Sequence, residues 1–224
     1  MHAQIVLFDG FDPMDVVGPY EVLYAGGLAS GGALSVELVS AEGPRTVVSG
    51  SGELEMTATA TLDVEHADLI IVPGASGLFE PNADQPGSSL PERLAATTET
   101  ELPGMMRRAL DDPGVLVATV CGGSLALAMA GLLEGRRAVT HHLAVDALAA
   151  GGVIPIQARI VDDGDLITAG GVTSGLDLGL YLLERCLGPR ISLEVEALFD
   201  YERRGTVWSA KGAEPVITFA PDAA

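Results

Sequence analysis

Short runs rich in Val and Ile recur along the chain, separated by longer stretches whose apolar residues fall three or four apart. That alternation is the pattern of βαβ units around a largely parallel sheet. Near-continuous apolar runs at residues 4–8, 34–40, 69–72 and 115–120 predict strands covered on both faces. Helical spacing predicts helices over 13–25, 90–110, 124–133, 143–150, 174–187 and 192–203, with Pro103-Gly104 interrupting the long second one. In 157–168 an Asp-Gly pair stands between two runs of β character, a strong hairpin signal. From Ser209 onward helical periodicity ends and two prolines appear. Residues 1–208 are therefore expected to form one α/β domain, and 209–224 an extended tail able to pack on a neighbour.

Composition narrows the class. A chain of 224 residues, 48% of them hydrophobic, suits one α/β domain with a substantial core. Twelve basic residues against 31 acidic ones give a formal charge of -19, which argues against nucleic-acid and membrane-surface partners. The N-terminus lacks a basic region followed by an apolar stretch and a small-residue cleavage site, so no secretory signal is expected. No apolar run reaches the roughly 20 residues needed to span a bilayer. Two cysteines, Cys121 and Cys186, give no disulfide framework, and a reducing cytoplasm is the expected compartment.

The chemistry concentrates where the buried run at 115–120 meets Cys121-Gly122-Gly123-Ser124 and then a helical stretch. A strand that turns sharply into a helix lifts one side chain clear of the sheet, and small neighbours relieve the crowding. Such a nucleophile elbow also aims a helix N-terminus at the sulfur, which predicts a depressed Cys121 pKa. The alternative is a buried structural cysteine. Cys186, at a helical core position, reads as a packing residue. Asp15 follows the first strand, where it can act as general acid or base beside the thiol, or stand as an ordinary first-turn acid behind an Asp12 N-cap and Pro13. Glu21, further along the same helix, is a weaker candidate for the same crevice. The turn at Gly74 can direct backbone N–H groups, with that of Gly122, at a developing negative charge. His141 and His142 are candidate bases for the thiol or structural residues. No phosphate loop, dinucleotide fingerprint or metal-ligand spacing is present, and neither metal nor cofactor is expected.

Four segments, FDGFDPMDVVGPYEVL, LIIVPGASG, VATVCGGSLALAMAGLLEGRRAVTHH and ITAGGVTSGLDLGLYLLER, together resemble the isonitrile hydratase branch of the ThiJ/PfpI superfamily, in the family's order and spacing. The resemblance implies a flavodoxin-like three-layer sandwich of the glutamine amidotransferase type, a homodimer, and a cofactor-independent lyase acting on a small molecule. It puts the family's cysteine on Cys121 and its essential aspartate on Asp15. One departure stands at Gly122, where the branch typically carries a threonine. No histidine follows the cysteine, as it does in the protease-like branch. The alternatives are a cysteine enzyme acting on aldehydes such as methylglyoxal, in which His141 would matter more, and a redox or ligand sensor similar to those of AraC-type regulators, whose helix-turn-helix region is not expected here.

Overall fold

The computed structural model describes residues 1–52 and 54–216. Its strands are β1 (His2–Val6), β2 (Ser35–Ser40), β3 (Arg45–Val48), β4 (Glu55–Ala58), β5 (Ala60–Thr61), β6 (Leu69–Val72), β7 (Leu116–Val120), β8 (Arg137–Ala138), β9 (Ile154–Pro155), β10 (Ile160–Asp162), β11 (Leu166–Ala169) and β12 (Trp208–Ser209). Its helices are α1 (Pro13–Ala29), α2 (Leu90–Ala96), α3 (Leu102–Asp111), α4 (Gly123–Met129), α5 (Val145–Ala150), α6 (Ser174–Leu187) and α7 (Pro189–Phe199). Eight strands form the central sheet in the order β12-β10-β11-β7-β6-β1-β2-β5. All its pairings are parallel except the β10–β11 hairpin.

Alternation within the strands splits the core into two layers. Ile5, Leu69, Ile71, Ala118 and Val120 face a cluster shared with α1, α6 and α7. Val6, Ile70, Val72 and Val117 face the opposite cluster, filled from α3, α4 and α5 by Leu102, Met106, Leu127 and Leu148. The arrangement is the three-layer sandwich expected, with both faces of the parallel sheet covered.

Three differences from the sequence-based expectation have local causes. The ribbon β3–β4 leaves no apolar run in the sequence, because its strands bury only Val47 and Ala58. The long helix expected over 90–110 breaks earlier than Pro103, at a 3-10 turn over Thr97–Glu99. Pro103 instead stands in the first turn of α3, where its missing N–H costs nothing. Trp208–Ser209 adds a short parallel strand to the sheet edge at β10. Of the apolar run 216–219, Val216 is fully exposed and the rest lies outside the described residues. Among the described residues no helix is long and apolar enough to cross a membrane.

Candidate active site

Strands β7, β6 and β1 are consecutive in the sheet and parallel, so their carboxyl ends open side by side. Each hands one group to the site: Cys121 after β7, Gly74 after β6, and Asp15 from the first turn of α1 after β1. This is the crevice where parallel α/β sheets gather chemistry.

Cys121 sits at φ +52°, left-handed backbone that a non-glycine residue adopts only under constraint. The constraints are visible. Its N–H donates to the carbonyls of Ala169 (3.0 Å) and Gly170 (2.9 Å). Its own carbonyl accepts from Thr140 Oγ1 at 2.9 Å and Ser124 Oγ at 3.3 Å, and the Ser124 hydroxyl also reaches Val139 O at 2.8 Å. Behind it, a Cβ on Gly123 would lie 2.1 Å from the Val72 carbonyl oxygen, so only glycine lets α4 start this close to the sheet. The result is the nucleophile elbow, with the cysteine side chain 5% exposed.

Asp15 is 0% exposed. Asp12 caps α1 by accepting from Met14 N at 2.9 Å, and Pro13 begins the helix. Asp15 thus is a first-turn residue, but one turned inward against the elbow, so the two readings of it are compatible. Gly74 N donates to Asp15 Oδ2 at 2.9 Å, while Oδ1 has no well-formed hydrogen bond among the described residues. The Cys121 thiol stands beside the carboxyl, where each group biases the other's ionisation. Burial, and then the charge of Asp12, hold the Asp15 carboxyl well above the usual carboxylate range, against the opposing pull of Gly74 N–H and the thiol.

The same environment corrects the expectation of a depressed Cys121 pKa. Burial first, and the Asp15 charge second, push the thiol up, and the Gly122 N–H opposes them only in part. Helix α4 has seven residues, and the N–H at its start that lowers the thiol pKa is that of Gly122.

Cys121, Gly122 and His141 line a cavity of about 410 Å³ whose other walls include Phe79, Leu90, Leu125, Met129 and Leu143. Phe79 is 73% exposed and Leu143 65%. These apolar walls come from α2, α4 and the loops before α2 and α5, and residues far apart in sequence gave no common signal. His141 accepts from Leu143 N through Nδ1 (3.3 Å), and burial and the neighbouring His142 hold its pKa down, so it stays neutral. Among the described residues neither histidine is hydrogen-bonded to Cys121.

Two expected roles change. The Gly74 N–H is committed to the Asp15 carboxylate and is not free to bind a substrate anion. A Cβ there would stand 2.7 Å from Asp15 Oδ2 and 2.6 Å from Gly122 N, so Gly74 positions the acid instead. Glu21 is exposed and absent from the cavity wall, because it falls on the face of α1 that carries Met14, Val17, Tyr24 and Leu28. Ser124 and Thr140, which clamp the strained cysteine, were not singled out from the sequence. The Ser of Cys-Gly-Gly-Ser was their one legible trace.

Comparison with known proteins supplies a second line. Residues 1–185 match the DJ-1/PfpI family. Isonitrile hydratase of Pseudomonas putida is 33% identical over 197 residues, covering 88% of this chain and 76% of that protein. The HTH-type transcriptional regulator CdhR of Pseudomonas aeruginosa is 30% identical over 196 residues, 87% of this chain but 53% of the regulator. A ThiJ/PfpI family protein from Pseudomonas syringae superposes with a TM-score of 0.70 at 26% identity, covering 91% of this chain and 76% of that one.

Proposed function

The chain belongs to the DJ-1/PfpI family, and from that premise we propose that it is a lyase that hydrates an isonitrile to an N-substituted formamide. The observation that carries the reading is a fully buried carboxyl, Asp15, beside the Cys121 thiol at an apolar cavity, where burial holds its pKa well above the usual carboxylate range. An isonitrile carbon needs a nucleophile and a proton together, and this pair sets a thiol and an acid side by side. The 33% identity to an isonitrile hydratase supports the same reading.

Sulfur bonds to the terminal carbon while Asp15 protonates that carbon, and the thiol proton passes to the carboxylate. The product of this step is a thioimidate, R–N=CH–S–Cys121. Water adds to the same carbon as the nitrogen takes a proton, and the C–S bond breaks to give R–NH–CHO and the free thiol. One water is consumed and no cofactor is required. Cys121 and Cys186 are unpaired thiols, which suits a reducing compartment.

The test is formamide production from an aliphatic isonitrile by wild type and Cys121→Ala, with methylglyoxal consumption measured in parallel. Turnover that vanishes in the variant is expected. Methylglyoxal consumption alone would replace the reading with an aldehyde enzyme, and neither activity would favour a ligand sensor of the kind the regulator similarity suggests.

A further inference from the structure

Helix α2 is docked beside the elbow through very little. Leu94 is its one buried residue. Polar ties hold both ends: at the start a reciprocal cap between Ser89 and Glu92, with Arg93 donating to Ser76 O at 2.8 Å, and at the end Thr97 Oγ1 donating to Leu94 O at 2.7 Å. The same helix contributes Leu90 and Pro91 to the cavity, while α4 contributes Leu125 and Met129. Where Leu94 lands is informative. A Cβ built on Gly122 would stand 3.2 and 3.6 Å from its two methyl carbons and 3.5 Å from Gly74 Cα. Gly122 has φ -70°, so its lack of a side chain answers no backbone strain. The space a side chain would fill there is taken by Leu94.

We propose that Gly122 and Leu94 form a specificity-determining pair: the bare elbow lets Leu94 seat α2 against it, and that seating sets the width of the cavity over Cys121. This deepens the proposed function and rests on its reading of Cys121 as the nucleophile facing the cavity, though not on which substrate is used. A threonine at 122 adds a β-carbon and two further heavy atoms against Leu94, so α2 must lift. Trimming Leu94 removes the seat from the other side. Making both changes exchanges volume across one contact, and the cavity returns close to its native width.

The experiment compares alkylation of Cys121 by iodoacetamide and by N-cyclohexyliodoacetamide, which share a reacting carbon and differ by an apolar ring. It uses the Cys186→Ser background with Gly122→Thr, Leu94→Ala and the double variant, each checked for folding by thermal unfolding. The ratio of bulky to small rate should rise in each single variant by about tenfold, the scale on which pocket size discriminates. In the double variant it should return to within about twofold of the parent. If Leu94→Ala does not fold, Leu94→Val gives the same cycle with a smaller rise. Unchanged single-variant ratios, or a double-variant ratio equal to the product of the singles, would overturn the pairing even where isonitriles are hydrated. An intact cycle without isonitrile turnover would sustain the pairing and remove the hydratase reading.

Discussion

At the scale of single residues the site rests on two acids held in a dry place, Asp15 and the Cys121 thiol. Because burial first, and Asp15 second, push the thiol up, its thiolate fraction at neutral pH is small, and addition to an isonitrile carbon depends on Asp15 giving up its proton and taking the thiol's in exchange. In a Cys186→Ser background, the iodoacetamide rate at Cys121 should keep rising beyond pH 9. A plateau below the free-thiol value of about 8.5 would mean that the helix terminus dominates after all. Asp15 has a consequence for stability. Its folded pKa lies above the unfolded value of about 3.9, so between the two the native state holds a proton that the unfolded chain has released. Stability from this group is complete below the unfolded value and is lost as pH rises through the folded one. Asp15→Asn should therefore melt higher than wild type at pH 7, with the difference closing as pH falls to about 4. A lower melting temperature at pH 7 would contradict the assignment.

At the scale of elements, glycines decide the geometry. Helix α1 crosses α6 where a Cβ on Gly26 would meet Leu183 at 2.3 Å and one on Gly179 would meet Val22 at 2.8 Å, and this close crossing carries Asp15 to the elbow. Gly123 is tighter still, since its neighbour is backbone. Gly123→Ala should cost more than the about 1–3 kcal/mol usual for overpacking, at about 2–4 °C of melting temperature per kcal/mol. Gly104, in α3 with open space around its Cα, should do the reverse on replacement by Ala, gaining about 0.5–1 kcal/mol. Equal melting temperatures for the two variants would show that contact at Gly123 is not limiting. Periodicity made much of this legible: the β6 and α6 ranges fall where the apolar runs place them, and the Asp-Gly hairpin is β10–β11. So did the order of motifs, which put Cys121 and Asp15 in one crevice. What stayed hidden depends on contacts between distant segments. Examples are Leu94 over Gly122, the clamp of Thr140 on Cys121, and the commitment of Gly74 N–H to Asp15. Glu21 lies outside the crevice because packing against α6 decides which face α1 buries, and spacing along one helix does not show that.

At the scale of the whole molecule, α1 shows solvent a stripe of Met14, Val17, Tyr24 and Leu28. Its spacing is that of one helix face, and a second copy is expected to cover it. With a formal charge of -19 on each chain, the dimer should tighten as salt screens the repulsion. Light scattering should give twice 23.0 kDa, and Leu28→Glu should shift the mass toward one chain. A single-chain mass at micromolar concentration and high salt would defeat this. In the proposed chemistry Asp15 and Cys121 act as one unit on an isonitrile carbon. This is tested most directly by formamide formation in Asp15→Asn, folded and with Cys121 still alkylable. Turnover should fall by at least ~100-fold, the contribution of a positioned acid. Full turnover in Asp15→Asn would contradict it.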